Sequence, residues 1–300
     1  MHDRDTLHRF LFERYPIRGH LVHLDAAWRA LIEHRDYPRA IRETLGEAVV
    51  ASLLLAATIK FDGVLSLQLQ GAGPMHLLLA QCTSGLGVRG LARYRDFDAD
   101  TPHTIRDLIG AGNLTVTLET DEGAQRYQGI VPIEGGRLAD SLQAYFQNSE
   151  QLPTRLWLHA DEKGASGMLL QKLPGNGSQP AADAAAIEDA WNRVQLIGDT
   201  LTPEELRTLA DAEILHRLFN EDDLRLFEPA PVYFRCRCSR ERVAGMLQGL
   251  GEKETRSVIE ERGKVEVHCD FCNRAYVFDA VDVEQLFKAP VAADTGTSVH

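Results

Sequence analysis

The sequence predicts an α+β protein in three parts: a mixed N-terminal domain with antiparallel-rich sheets and helices, an acidic helical linker, and a small C-terminal zinc domain with four cysteine ligands. Three observations lead to this prediction. Short alternating segments separated by turn residues fill the first part, acidic residues concentrate in the second, and two cysteine pairs mark the third. The predicted boundaries are 1–175, 176–231 and 232–288, followed by a disordered tail over 289–300.

Length, composition and charge restrict the class of protein. A chain of 300 residues with 44% hydrophobic residues is typical of a globular protein, and its length predicts two domains. Its net charge of −12 argues against binding of nucleic acid by the chain as a whole. Residues Met1–Tyr15 lack the apolar stretch of a signal peptide, and the apolar run Ala48–Ile59 is too short to cross a membrane. We therefore expect a cytoplasmic protein.

The N-terminal part is predicted to combine helices with antiparallel strands. Helices are expected over Val22–Arg35, Pro38–Ile59 and Ala139–Gln147, the second because proline favours the first turn of a helix. The expected strands are Gly63–Gln70, Met75–Cys82, Gly87–Tyr94, Asn113–Thr120, Tyr127–Ile133 and Thr154–His159. Short gaps with turn residues between them imply hairpins, and hence antiparallel pairing.

The second part combines a strong negative charge with helical periodicity. Its start is marked by Leu173–Ala182, which is rich in proline, glycine and small polar residues. From Asp183 to Glu228 there are 12 acidic and 4 basic residues, a net charge of −8. One helical face is formed by Ile187, Trp191, Val194 and Ile197. A second helix is predicted to start at Thr202-Pro203-Glu204-Glu205, with Leu206, Leu209, Ile214, Leu215 and Leu218 facing inward. Such helices must dock on another surface or remain loose.

Four cysteines in the third part form two closely spaced pairs, Cys236-x-Cys238 and Cys269-x-x-Cys272, with 30 residues between the pairs. Two such pairs can converge on one tetrahedral ion, which predicts one structural zinc. A Cys-x-Cys pair also leaves two sulfurs side by side, so the same residues could form two disulfides instead. Buried cysteines without a ligand are the third alternative, but they would not require this pairing.

Several other residues are candidates for a part in such a site. Arginines 235, 237, 240 and 242 surround the first pair and either stabilise ionised sulfurs or form a solvated basic face. Cys82 ends an apolar strand and is expected to be a buried, unreactive core residue. His268 adjoins Cys269, but four cysteines already complete a zinc shell. We find no catalytic motif, so the chain is not expected to be an enzyme.

Several segments together resemble one protein family. They are Phe234–Val243, Gly263–Asn273, Tyr276–Phe278, Val88–Arg93, Tyr127–Pro132, Tyr145–Thr154 and Ile214–Phe219. Spread along nearly the whole chain, they resemble the heat-shock protein 33 family of redox-regulated, ATP-independent holdase chaperones. The resemblance implies a zinc-bound, inactive reduced form. It also implies that oxidation converts Cys236, Cys238, Cys269 and Cys272 to two disulfides, with release of zinc, unfolding of the linker and binding of unfolded client proteins by a homodimer.

A linker that unfolds in this way would expose its apolar side chains. The candidates for a relay or client-binding surface there are Trp191, Val194, Leu206, Leu209 and Leu215. No nucleic-acid or membrane partner is expected. Two other hypotheses stay open on the sequence alone. One is a zinc-ribbon regulatory protein that binds nucleic acid or a specific protein partner. The other is an enzyme whose zinc domain only regulates it, which would require a pocket with converging polar groups in the N-terminal domain.

Overall fold

The computed structural model describes residues 4–95, 98, 103–120, 126–174 and 181–288. The chain divides into two compact units, Met1–Arg235 and Cys236–His300. Helices and antiparallel sheets alternate along it, and this confirms the predicted α+β class. The finer division into 1–175, 176–231 and 232–288 stays a prediction. In the structure the segment from Ala181 to Arg235 belongs to the first unit.

Strands and helices both extend over most of the described chain. The strands are β1 (Thr6–Phe12), β2 (Ile17–Leu24), β3 (Gly63–Gly71), β4 (Met75–Thr83), β5 (Gly87–Tyr94), β6 (Gly112–Thr120), β7 (Arg126–Pro132), β8 (Thr154–Ala160), β9 (Ala165–Lys172), β10 (Leu224–Leu226), β11 (Ala230–Pro231), β12 (Tyr233–Phe234), β13 (Val265–His268) and β14 (Ala275–Phe278). The helices are α1 (Ala26–Ile32), α2 (Arg39–Ala56), α3 (Ile105–Ile109), α4 (Leu138–Tyr145), α5 (Ala181–Gly198), α6 (Pro203–Thr208), α7 (Asp211–Phe219), α8 (Arg240–Leu250), α9 (Glu252–Arg262) and α10 (Ala280–Lys288). A π-helical turn, Phe146–Glu150, follows α4.

Two sheets form the framework of the first unit. One has the order β10-β1-β2-β9-β8, with β11 also paired to β1, and the other has the order β12-β5-β4-β3-β6-β7. Pairing is antiparallel except between β12 and β5. The helix α2 is buried over most of its length because it packs against strands of both sheets. The predicted hairpins β3–β4, β4–β5 and β6–β7 are confirmed.

The helix predicted over Val22–Arg35 is wrong in its first part. Residues Val22–Leu24 end β2, and α1 begins only at Ala26. The strand pairs with β1 on one side and β9 on the other, and most of its residues are buried. Burial of both faces removes the polar alternation by which a strand is recognised in a sequence.

The linker helices α5–α7 cover the outer face of the first sheet. Their apolar side chains form one buried cluster with Phe10, Phe12, Leu21 and Met168 from the strands. Of the two alternatives for these helices, docked or loose, the structure shows the docked one. The second predicted helix is two helices, because Leu209 and Ala210 are extended, with ψ angles of 152° and 151°. Residues 175–180 of the predicted linker segment lie outside the described residues.

The second unit has a small core of its own. The hairpin β13–β14 and the helices α8–α10 bury five apolar residues, Leu247, Val265, Tyr276, Phe278 and Val283. The predicted tail over 289–300 lies outside the described residues. Among the described residues of the whole chain, no helix is long and apolar enough to cross a membrane.

Candidate metal centre and the docked linker

The four paired cysteines converge at one point of the second unit. Their sulfur atoms all lie within 4.8 Å of one another, and all four side chains are partly buried. The Sγ atoms of Cys236 and Cys269 are 3.5 Å apart, and those of Cys238 and Cys272 are 3.4 Å apart. Each of these two contacts joins one member of the first sequence pair to a member of the second.

Local structure on both sides fixes the cysteines. After Cys238, Ser239 is the N-cap of α8, and its hydroxyl accepts a hydrogen bond from the Arg242 amide at 3.3 Å. The second pair lies in the turn between β13 and β14. There the Asn273 amide donates to the Cys269 carbonyl at 2.8 Å, and the Cys269 amide donates to the Arg274 carbonyl at 3.0 Å. Asn273 takes a left-handed φ of 53°, which asparagine tolerates better than most residues.

The thiols influence one another's ionisation. Burial raises the pKa of Cys236 to about 12, with hydrogen bonds to neighbouring thiols adding to the effect. Burial also opposes ionisation of Cys238, but hydrogen bonds from Tyr276 and the other thiols lower its pKa to about 7. The Tyr276 hydroxyl lies 3.1 Å from the Cys238 sulfur. Cys238 therefore ionises more readily than Cys236, and a bound cation would favour the thiolate form of Cys236.

This donor set fits a single metal ion. Tetrahedral coordination at metal–sulfur distances of about 2.3 Å would place the sulfurs about 3.8 Å apart, which is close to the contacts of 3.4 and 3.5 Å. Four thiolates complete a closed shell that leaves no open position for catalysis. The cluster can therefore hold a metal ion in a structural role.

Two of the four arginines near the first cysteine pair, Arg240 and Arg242, have partners away from the sulfurs. Arg240 forms an ion pair with Asp282 at 2.8 Å and lies over the Phe278 ring, while Arg242 donates to the Arg237 carbonyl. Arg240 and Arg242 thus make contacts within the unit, whereas Arg274 carries the charge that interacts with Cys238 and Cys272. Sequence reasoning missed Arg274 and Tyr276 as neighbours of the sulfurs.

His268 and Cys82 both lie outside the sulfur cluster. His268 is half exposed and lies 3.0 Å from Glu266, and within the described part of the chain the metal-binding group consists of the four cysteines without it. Cys82 is fully buried in the core of the first unit, and burial raises its pKa to about 12. Its prediction as a buried core residue is confirmed.

The five linker residues singled out in the sequence share one interface. Trp191, Val194, Leu206 and Leu215 are at most 4% exposed, and Leu209 is partly buried. They pack against the strand residues of the first sheet, in the cluster that also contains Phe10 and Phe12. At the end of α5, Gly198 lies so close to the Trp157 ring that an added Cβ would come within 2.6 Å. The helices are therefore closely packed on the sheet.

Ion pairs reinforce this interface. Acidic linker residues pair with basic residues on or beside the strands: Asp199 with Arg155 at 2.7 Å, Glu188 with Lys172, and Asp223 with Arg14 at 2.9 Å. In one further ion pair the linker supplies the positive charge: Arg207 of α6 pairs with Asp161, next to β8, at 3.2 Å. Part of the linker's negative charge thus contributes to docking, although exposed pairs of this kind are each worth only about 0–1 kcal/mol.

The chain is similar to known proteins over nearly its whole length. Residues 5–279 match the model of a family described as "Hsp33 protein". A "33 kDa chaperonin" of Nitrosococcus oceani is 49% identical over the full length of both chains, and one of Methylobacillus flagellatus is 47% identical over 96% of each. The crystal structure of a 33 kDa chaperonin from Thermotoga maritima superposes with a TM-score of 0.79 at 23% identity, covering 95% of this chain and 98% of that one. At that identity, the superposition shows a shared fold.

Proposed function

Because the chain belongs to the Hsp33 family, we propose that it is a redox-switched, ATP-independent chaperone that binds unfolding proteins after oxidation. The observation that carries the proposal is the convergence of four sulfurs, all within 4.8 Å of one another, in a unit with a very small core. A metal held there would be essential to the fold of that unit, and the thiolates that hold it would be open to oxidation.

In the reduced form, Cys236, Cys238, Cys269 and Cys272 would hold one zinc ion. Four sulfur donors and a closed tetrahedral shell favour zinc among the common divalent ions. The ion would supply structural stabilisation, which is on the order of 10–16 kcal/mol in small zinc peptides. The Tyr276 hydroxyl and the Arg274 charge support the thiolates from outside the shell.

Oxidation would convert the four thiolates to disulfides between Cys236 and Cys238 and between Cys269 and Cys272. Formation of each disulfide releases two electrons, so two molecules of peroxide accept four electrons in all and are reduced to water or hydroxide. Because disulfide sulfurs no longer act as thiolate ligands, the zinc would be lost. The two disulfides close only short loops and compensate poorly for the metal. The second unit should therefore unfold.

Release of the linker would follow and would expose apolar surface to clients. The covered surface includes Trp191, Val194, Leu206 and Leu215 on the helices and Phe10 and Phe12 on the sheet. A contiguous apolar surface of this kind can hold unfolding proteins. The linker's acidic residues would help to keep the complexes in solution. Leu209, which is only partly buried, belongs to the same surface.

The remaining properties proposed for the chain agree with a chaperone of this type. We propose that it acts in the cytoplasm during stress, forms a homodimer when oxidised, has no nucleic-acid or membrane partner, and is not an enzyme. A zinc-ribbon regulator that binds nucleic acid receives no support from two of the four arginines near the first cysteine pair. Arg240 is engaged by Asp282 and Phe278, and Arg242 by a backbone carbonyl.

The decisive experiment measures zinc content and suppression of client aggregation on one sample, before and after peroxide at raised temperature. One zinc per chain and no suppression are expected before oxidation, with loss of zinc and strong suppression afterwards. The Cys269→Ser/Cys272→Ser variant should lack zinc, whereas the matched control Cys82→Ala should retain it. A reduced, zinc-loaded protein as active as the oxidised one would contradict the switch, and undiminished zinc in the double variant would contradict the site.

A further inference from the structure

The docked linker places a carboxylate against two histidines of the sheet. Asp211, the first residue of α7, is 8% exposed and lies beside His8 of β1 and His23 of β2. The Asp211 Oδ1 atom is 2.7 Å from His23 Nδ1 but makes no well-aligned hydrogen bond among the described residues. Its Oδ2 atom contacts His8 Nδ1. This is the point at which the linker brings a buried charge to the sheet.

The hydrogen bond of the second ring nitrogen of His23, Nε2, determines where the hydrogen of a neutral His23 ring must lie. His23 Nε2 lies 2.7 Å from the backbone carbonyl of Leu206, and the histidine is 2% exposed. Since a carbonyl oxygen can only accept, Nε2 must carry the hydrogen that it donates. A neutral ring would then present a bare Nδ1 to the carboxylate, and two acceptors at this separation repel each other. A further proton shared by Nδ1 and Asp211 removes this repulsion and gives the buried Oδ1 atom a hydrogen-bond donor.

From this geometry we propose that docking of the linker takes up one proton, shared by His23 and Asp211, so that docking weakens as the pH rises. The proton count is the same whether the proton belongs to the ring or to the carboxyl group. The start of α7 favours the charged carboxylate because the N-terminal end of a helix dipole is positive. Burial opposes that charge, but the hydrogen bonds and charges of His23 and His8 outweigh burial and lower the pKa of Asp211.

The direction of the pH dependence follows from the protonation of His23 and Asp211 when the linker is released. With the linker away from the sheet, a histidine in water is mostly neutral above about pH 6.5, and an aspartate in water is ionised. Docking above that pH must then bind a proton, and each proton taken up changes the docking equilibrium by up to about tenfold per pH unit. Docking is favoured on the acidic side and is lost as the pH rises.

Other charged groups near the pair do not remove this dependence. His8 can donate from Nδ1 as a neutral ring, so it needs no extra proton. Of the titratable groups, His8 and His23 act directly on Asp211. Farther out, Arg4 before β1 pairs with Asp25 and binds linker carbonyls, and Arg207 on α6 pairs with Asp161, which lies beside His159 of β8. Arg4 and Arg207 keep their charge across neutral pH, so they leave the proton count of the His23–Asp211 pair unchanged.

The test measures hydrogen exchange of the α7 amides in the reduced, zinc-loaded full-length protein between about pH 6.5 and 8.5, the range above the ordinary histidine pKa. Each rate is divided by the intrinsic exchange rate at the same pH to give a protection factor. Protection in the wild type should fall by up to about tenfold per pH unit above pH 7. In Asp211→Asn the amide can donate to a neutral His23, so protection should become independent of pH.

The matched control is Asp222→Asn, which removes the same charge from an ion pair with Arg193 at 2.6 Å. Arginine does not titrate in this range, so the control should lower protection evenly and keep the wild-type slope. His23→Gln serves as a second variant, also expected to be flat, if Asp211→Asn releases the linker altogether. A flat wild-type profile, or a wild-type slope in either variant, would overturn the proposal. Because no oxidant and no client are used, the outcome does not depend on the proposed chaperone cycle.

Discussion

Tyr276 lies beside the cysteine cluster, and its hydroxyl leads to a prediction about metal binding. Its hydroxyl lies 3.1 Å from the Cys238 sulfur, so Tyr276→Phe removes a hydrogen bond to a ligand. Losses of this kind typically weaken metal binding by about 10–100-fold. We expect zinc affinity, measured by competition with a chelator, to fall by roughly tenfold. The control is Tyr127→Phe, because the Tyr127 hydroxyl donates to the carboxylate of Glu150 in the other unit. Equal affinities for wild type and Tyr276→Phe would contradict this role.

The pairing of the oxidised cysteines is a second prediction at this scale. We expect bonds between Cys236 and Cys238 and between Cys269 and Cys272, because short loops close most readily once the unit has loosened. Peptide mapping of the peroxide-treated protein by mass spectrometry checks it. The folded geometry offers a clear alternative, since Cys236 lies 3.5 Å from Cys269 and Cys238 lies 3.4 Å from Cys272. Recovery of mainly those two bonds would show that oxidation precedes loosening.

Single residues also show which parts of the site a sequence can reveal. The four cysteines are recognisable because ligand type and spacing are local properties of the chain. Tyr276 and Arg274 approach the sulfurs only through the turn and register of the β13–β14 hairpin, which pairs Val267 with Tyr276. The side chains of Arg240 and Arg242 are directed by Asp282 and the Arg237 carbonyl. Such tertiary partners leave no local signal in the sequence.

Among the elements, the linker helix α6 gives the sharpest prediction about docking. Leu206 is 2% exposed and Leu209 is partly buried, so replacing both by serine removes burial worth about 1.5–3 kcal/mol for the first and less for the second. Faster protease cleavage of the linker is expected in the reduced, zinc-loaded protein, together with suppression of client aggregation. Both are measured beside the matched control Leu196→Ser, whose side chain on α5 is 70% exposed.

In the variant with serine at positions 206 and 209, protease cleavage tests whether the linker is released, and aggregation suppression tests whether release is enough for activity. Faster cleavage without aggregation suppression would show that linker release is not sufficient for activity. Unchanged cleavage would contradict the energetic importance of α6. The Leu196→Ser control should behave as the wild type in both assays, because an exposed leucine contributes little to docking.

The break between α6 and α7 shows why one predicted helix is two. The carbonyl of Leu206 accepts from His23, and those of Arg207 and Leu209 accept from the Arg4 guanidinium. Carbonyls near the end of α6 are therefore bound by side chains on or beside the sheet, and the chain is extended at Leu209 and Ala210 before α7 begins. The periodicity of the leucines predicted helical structure correctly, but the break depends on residues that are distant in the sequence.

The sequence does not predict strands β2 and β9, and the reason again lies in tertiary packing. Nearly every residue of Ile17–Leu24 and Ala165–Lys172 is buried, since the core covers one face and the linker helices cover the other. The second half of β3, where Leu67 and Leu69 are buried and Gln70 is exposed, shows the alternation of a half-exposed strand, whereas a strand buried on both faces does not. Docking of the linker thus accounts both for the burial of these strands on two faces and for the helix wrongly predicted at Val22.

Across the whole molecule, the two units differ in how they are stabilised. The first has an extended core around α2 and a second apolar cluster under the linker. The second has a core of five buried apolar residues, which is small for independent folding without a metal or another crosslink. Loss of the sulfur-bound metal should therefore affect the units very differently.

Chelation of the reduced protein provides the test at this scale. Removal of zinc should abolish protection from hydrogen exchange over α8–α10. The five buried side chains, worth about 1.5–3 kcal/mol each, do not offset the conformational entropy lost on ordering the unit without the stabilisation of about 10–16 kcal/mol typical of such metal sites. The strands β2–β4 should keep their protection, since their core contains no part of the metal site. Peroxide-treated protein should give the same pattern over α8–α10, because disulfides that close short loops restore little stability. Protection of α8–α10 that survives chelation would mean that the small core suffices, and the link from sulfur oxidation to unfolding would then fail.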